Sequence, residues 1–207
     1  MKRTALFFGS FNPIHFGHLN VAKAAIQTGI VAEVDFIVSP KNPFKRDLDL
    51  LPEQQRLDLV LSVLSSEDQM NCNDIEFHLP RPNYTIRTLH HLSIDPLANT
   101  HTLLMGADIY HQMKTWQGAA EMLSHHLTIY PREGWQLPQA SDNIVLLDSP
   151  MIPISATMIR QKVESQEEIN HLVPKEVAAF FYQNAHNSLL PLRLMIFDFR
   201  RIRIESL

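Results

Sequence analysis

Cysteine occurs once in these 207 residues, at Cys72, so no internal disulfide can form, and no Cys/His spacing supports a structural zinc site. Long apolar runs are missing too: none approaches the roughly 20 residues that a membrane-spanning helix needs. Nor is there an excess of positive charge. Lys and Arg number 18 against 22 Asp and Glu, a net charge of −4, which leaves no global basic field to recruit DNA or RNA. No internal repeat or low-complexity tract interrupts the chain. Met1-Lys2-Arg3 and the apolar residues after it mimic a secretion signal only faintly, because the run breaks at Gly9-Ser10-Phe11-Asn12-Pro13 without a small-residue cleavage site. The expectation is a cytoplasmic protein that uses neither membrane nor nucleic acid, in which the sequon Asn83-Tyr84-Thr85 is idle. Its length is that of one domain able to bury a core of its own.

Glycine is scarce, six residues in all, yet two of them fall in the ten residues Gly9-Ser10-Phe11-Asn12-Pro13-Ile14-His15-Phe16-Gly17-His18. The apolar run Thr4-Ala5-Leu6-Phe7-Phe8 before this stretch reads as a buried strand, and Leu19 to Ile26 after it has the spacing of a helix. Two histidines three residues apart therefore sit where a strand turns into a helix. Gly9 and Gly17 would let the backbone approach a ligand closely. The helix start offers unpaired N–H groups and a positive dipole end, and His15 and His18 add donors on the same side. Together these suit a polyphosphate.

Strand-like and helix-like segments alternate from there on. Gly29 stops the first helix, and Val34 to Val38 is a strand. Pro52 opens a helix with Leu57, Val60, Leu61 and Leu64 on one face. Ile75 to Leu79 is expected as a strand, residues 84–92 as a helix, and Thr102 to Met105 as a strand ending at Gly106-Ala107-Asp108. A helix around 119–124, strands at 127–130 and 144–147, and helices from Ala156 and over 174–184 complete the order. This βαβα succession predicts an α/β fold: a Rossmann-like, doubly wound parallel sheet with helices on both faces. Residues 1–187 form the domain, and 188–207, mixed apolar and basic, form a tail outside that order. The tail could be an edge strand, an oligomer contact or a poorly ordered end.

Three further segments carry chemistry. Ile154-Ser155-Ala156-Thr157-Met158-Ile159-Arg160 puts hydroxyls and a guanidinium at a helix start, where Ser155 can cap and Arg160 can fork onto phosphate. Lys45 follows the second strand at the carboxyl edge of the sheet, where ligands gather; the alternative is a solvated surface lysine. Asp108 could accept from a ribose hydroxyl or cap a helix.

GSFNPIHFGH resembles the GxFDPxHxGH signature of the nucleotidyltransferase superfamily, with Asn12 in place of the usual Asp. The segment from Ile154 to Arg160 resembles the superfamily's ISSTxIR motif, with Ala156 for the second Ser, and the loop ending in Lys45 resembles its lysine loop, with Phe44 for His. Within the superfamily, Asn83-Tyr84-Thr85-Ile86-Arg87-Thr88-Leu89 resembles the SYTxDTL segment of bacterial nicotinate-mononucleotide adenylyltransferases. Gly106-Ala107-Asp108 with Trp116 resembles their GAD…W segment, and Tyr130-Pro131-Arg132-Glu133-Gly134 their VxRxG stretch. The likeness runs from Thr4 to about Asn184.

The resemblance implies an enzyme that joins nicotinate mononucleotide to the α-phosphate of ATP, releasing pyrophosphate and making deamido-NAD. It implies catalytic roles for His15, His18, Lys45 and Arg160. ATP would be bound by Gly9, Ser10, Phe11, His15, His18, Gly106, Asp108, Ile154, Ser155, Thr157 and Arg160. The mononucleotide would be bound by Asn12, Lys45, Tyr84, Thr85 and Trp116, with the indole stacked on the pyridine; core filling is the other reading of Trp116. Mg²⁺ would accompany ATP, held by substrate and water rather than by protein ligands. Two other readings stay open: use of the amide mononucleotide, alone or as well, and a nucleotide-binding regulator weakened by Asn12, Phe44 and Ala156. A homo-oligomer is also left open.

Overall fold

The protein is described by a computed structural model over residues 3–40, 50–97 and 100–187, with side chains to 184. The segment carrying Lys45 and the tail 188–207 lie outside the described residues. The strands are β1 (Arg3–Gly9), β2 (Val31–Val38), β3 (Met70–Asn73), β4 (His101–Gly106), β5 (Leu127–Tyr130) and β6 (Ile144–Leu146). The helices are α1 (Phe16–Gln27), α2 (Glu53–Leu64), α3 (Thr85–His91), α4 (Ala107–Met113), α5 (Ala119–Met122), α6 (Ala156–Glu164) and α7 (Lys175–Asn187).

All the strand pairings are parallel, and the sheet runs β3-β2-β1-β4-β5-β6. Because successive side chains of a strand face opposite ways, β1 feeds two cores. Ala5 and Phe7 join Val34, Phe36 and Leu104 in a cluster closed by Val21 of α1, Val60 of α2, Ile159 of α6 and Val177 of α7. Leu6 joins Ile37, Leu103 and Ile129 in a second cluster, closed by Leu89 of α3 and Met113 of α4. Both faces are thus covered, as a parallel sheet requires. The strand order reverses between β1 and β4, so the segments that leave Gly9 and Gly106 diverge and open a crevice at the carboxyl edge. Among the described residues no helix is long and apolar enough to cross a membrane.

Three local expectations need correction. Ile75 to Leu79 is not a strand. The strand lies earlier, at Met70–Asn73, and Ile75–Phe77 form a 3₁₀ turn. The Asn73 side chain accepts from the Ile75 N–H at 3.0 Å, which turns the chain out of the sheet. Leu61 is 49 % exposed, because the buried arc of α2 runs through Arg56, Leu57, Val60, Val63 and Leu64 and stops just short of it. Asp108 neither ends β4 nor caps a helix. It sits in the first turn of α4, whose cap is Gly106, so the helix starts two residues earlier than a capping Asp108 would have placed it.

Candidate active site

The crevice holds two adjoining cavities. The larger, about 990 Å³, is a groove lined by Ser10, Asn12, His15, His18, Asp108, Arg132, Ile154, Ser155, Thr157 and Arg160. The smaller, about 110 Å³, is lined by Gly9, Ser39, Glu76, Asn83, Tyr84, Thr85, Gly106 and Trp116 among apolar side chains. Ile109 and Tyr130 belong to both linings.

His15 caps α1 in extended conformation, and its ring stacks on that of His18, with centroids 3.7 Å apart. His15 is 5 % exposed. Burial, helped by the nearby Arg132 guanidinium, pulls its pKa down to about 3, so it is neutral at physiological pH. The His15 N–H donates to His18 Nδ1 at 3.3 Å. That assigns the His18 proton to Nε2, making His18 a donor for the groove. The glycine between them is explained by the protein rather than by a ligand: a β-carbon at Gly17 would lie 2.8 Å from the His15 ring. Gly9 is likewise pressed against the Phe11 ring.

The far end of the chain closes the groove. Ser155 caps α6 by accepting from the Met158 N–H at 3.2 Å. One turn on, Arg160 donates to the Asn12 carbonyl at 2.9 Å and to the Thr157 hydroxyl at 3.3 Å. Residues 148 positions apart thus meet at the loop that follows β1. Asn12 itself accepts the Leu51 N–H on Oδ1 at 2.9 Å. An aspartate would accept the same bond, so this part of the motif's geometry survives the replacement.

Several assignments shift. Phe11 is 2 % exposed and packs edge-on against Phe7 and His18, and it lines neither cavity. Any contact from it to a nucleotide would come from its backbone, held at φ 42. Gly9 and Gly106 line the small pocket rather than the groove, while Asn12 lines the groove rather than the pocket. A β-carbon at Gly106 would overlap Asp108 Oδ1, an atom buried without a hydrogen-bond partner among the described residues. Tyr84, Thr85 and Trp116 do come together, around the small pocket.

Three residues of the site had no role assigned from sequence. Arg132 lies 3.7 Å from Asp108 and lines the groove. Its VxRxG-like stretch was the available signal. Glu76 and Asn83 face the small pocket with buried oxygens, Glu76 Oε2 and Asn83 Oδ1, that lack hydrogen-bond partners among the described residues. Glu76 otherwise accepts from the Thr88 hydroxyl at 2.8 Å, and Asn83 donates to the Glu76 carbonyl at 2.9 Å. Burial pushes the Glu76 carboxyl up, against the hydroxyls of Thr88 and Ser39. No pattern in the sequence marks Glu76, whereas Asn83 opens the SYTxDTL-like stretch.

The comparisons agree with this architecture. The cytidylyltransferase-like family model matches residues 6–162. A Cytophaga hutchinsonii protein named "Probable nicotinate-nucleotide adenylyltransferase" is 38 % identical over 183 residues, covering 84 % of this chain and 93 % of that protein. A Bacteroides fragilis protein of the same name is 36 % identical, covering 83 % and 87 %. Among solved structures, nicotinic acid mononucleotide adenylyltransferase of Plasmodium falciparum complexed with NaAD superposes with a TM-score of 0.71 at 15 % identity, over 89 % of this chain and 96 % of that one. That likeness shows a shared fold, and the closer sequence matches carry it to kinship: the chain belongs to the cytidylyltransferase-like family, among the nicotinate-nucleotide adenylyltransferases.

Proposed function

We propose that this chain transfers the adenylyl group of ATP to nicotinate mononucleotide in the cytoplasm, giving deamido-NAD and pyrophosphate. The observation that carries the reading is the adjacency of a donor-lined groove and an apolar pocket bearing Trp116, added to the family membership. A phosphate oxygen of the mononucleotide attacks the α-phosphorus, a P–O bond forms, the bond to the β-phosphate oxygen breaks, and pyrophosphate leaves with the electron pair. The nucleophile is already anionic, so the protein need only position the reactants and offset charge. His18 Nε2–H, Arg132 and Arg160 supply donors to the phosphates, neutral His15 holds His18 in place by stacking, and Asp108 Oδ1 accepts from a ribose hydroxyl. Lys45 would add a cation from its segment.

A metal fits this site as a companion of the nucleotide. Among the described residues no three His, Cys, Asp or Glu gather as a ligand set, and the groove's donors suit phosphate oxygens instead. Mg²⁺ bound to ATP would draw charge from the β- and γ-oxygens. Residues 1–187 would be the catalytic domain, with 188–207 appended.

One observation favours a second reading. Glu76 Oε2 and Asn83 Oδ1 are acceptors, and acceptors suit the NH₂ of an amide better than a carboxylate. For the acid to win, Glu76 must keep its proton in the pocket, and burial works in that direction. Pyrophosphate release with ATP and each pyridine mononucleotide in parallel decides the matter. The acid should exceed the amide in kcat/KM by about a hundredfold. Comparable values give the dual-specificity reading, and nucleotide binding without turnover would make the protein a regulator.

A further inference from the structure

Arg56 is accounted for neither by the motifs nor by the chemistry just proposed. It is 1 % exposed, near the start of α2, and among the described residues its acceptors are all backbone carbonyls. Nη1 donates to Ser10 at 2.6 Å and to Ser39 at 2.8 Å, Nη2 to Pro40 at 2.6 Å, and Nε to Leu51 at 3.1 Å. The neighbouring carboxylate, Glu53, pairs with Arg81 at 2.7 Å. Burial lowers the Arg56 pKa to about 10, with Glu53 opposing and Arg81 assisting, so the group stays cationic at neutral pH.

Two of the carbonyls it gathers belong to residues that line the two substrate cavities. Ser10 lines the groove beside His15, and Ser39 lines the small pocket. The Ser39 N–H donates to the Gly9 carbonyl at 2.8 Å, and the Leu51 N–H donates to Asn12 Oδ1. Asn12 in turn presents its carbonyl to Arg160. A fork of fixed planar donors can hold several carbonyls at set angles at once, which an ammonium cannot reproduce. We infer that Arg56 is a positioning residue: its buried guanidinium fixes the exit of β1, which serves the groove, against the exit of β2, which serves the small pocket, so that the two substrates keep one spacing. The inference rests on the adenylyl-transfer reading, in which in-line attack fails when the reacting atoms are displaced by about 1 Å.

The test compares Arg56→Lys and Arg56→Gln with Val60→Ala. Val60 is fully buried in the same helix, and its truncation weakens the core without removing a hydrogen bond to either strand exit. Pyrophosphate release gives kcat and both KM values, and thermal melting gives stability. Arg56→Lys should fold and lose about tenfold or more in kcat while each KM stays within about threefold, the mark of lost alignment rather than lost binding. Val60→Ala should melt earlier and keep its kcat. The inference is overturned if Arg56→Lys turns over within about twofold of the unaltered protein, if Val60→Ala loses kcat in parallel, or if neither Arg56 variant folds, since Arg56 would then serve the fold alone. Loss of KM without loss of kcat would also overturn it. If the unaltered protein releases no pyrophosphate, the adenylyl-transfer reading fails, and this inference with it.

Discussion

The groove and the small pocket share Ile109 and Tyr130 as a wall, but their linings differ in kind. The groove is wide and set with donors: His18, Arg132, Arg160 and the hydroxyls of Ser155 and Thr157. The pocket is about a ninth of its volume and is walled by Leu6, Phe8, Met105, Ile109, Trp116 and Met122, with acceptors at Glu76 and Asn83. Such a pair suits a ligand that is anionic at one end and flat and weakly polar at the other. A phosphate is stabilised by several charge-assisted bonds in a space that water can also enter, whereas a ring gains from excluding water and meeting another ring. The Tyr130 phenol stands between the two. Burial pushes its pKa up to about 12 against the pull of Arg132, with a smaller push from Asp108, so it is a neutral partition at any working pH.

The comparison breaks most sharply at His18. His18→Ala removes a groove donor whose ring is otherwise held by stacking and by the His15 N–H. We expect kcat to fall by about a hundredfold, the usual cost of losing one donor to a developing oxyanion. Circular dichroism should be unchanged, because His18 is half-buried and belongs to neither apolar cluster, its ring meeting Phe7 and Phe11 only edge-on. Near-normal turnover in the folded variant would take the donor role from His18 and leave the groove's chemistry to its arginines.

A smaller and more selective effect is expected from the pocket. Trp116 packs against the core cluster of Leu103, Met113 and Ile129 and also lines the cavity. If the indole meets the pyridine, Trp116→Ala should raise the mononucleotide KM about tenfold and leave the ATP KM nearly unchanged. Aromatic platforms under bases lose roughly 1–3 kcal/mol on truncation, which sets the scale. Equal changes in both constants, or unfolding, would assign Trp116 to the core.

The same division decides what the sequence made legible. The parallel sheet and its two covered faces follow from the alternation of strand-like and helix-like segments. Most of the groove was legible because its donors, Arg132 apart, come in two contiguous runs, at 9–18 and 154–160, each joining a helix start to a tight segment. Neither run discloses that the Asn12 carbonyl and Arg160 would meet, since a hydrogen bond across 148 positions leaves no local mark. The pocket was half legible. Tyr84, Thr85 and Trp116 were picked out by resemblance, but Glu76 lay in a stretch whose alternation, Ile75-Glu76-Phe77-His78-Leu79, mimicked a strand and is in fact a turn. Arg56 was missed for a related reason. On a helical wheel it reads as one more polar residue of α2, and only the tertiary fold reveals four carbonyls converging on its side chain.

The smallest expected effect concerns stability and isolates the buried member of the histidine pair. His15 titrates near 6.5 when the chain is unfolded and near 3 in the fold, chiefly through burial and secondarily through Arg132. A base whose folded pKa is lowered binds its proton more readily in the unfolded chain, so acid favours unfolding. Its contribution is therefore intact above pH 6.5 and is lost progressively as pH falls from 6.5 towards 3, at no more than about 1.4 kcal/mol per pH unit. His15→Asn cannot take up that proton. Denaturant unfolding at pH 7.5, 6 and 5 should show the unaltered protein losing stability faster than the variant, by about 1–2 kcal/mol at the lowest pH. The comparison between the two proteins cancels His125 and His126, whose pKa values burial also lowers. Parallel curves would mean that His15 is solvated enough to protonate in place. The stacked pair would then carry positive charge into the groove, and its contrast with the uncharged pocket would be larger than the neutral ring allows.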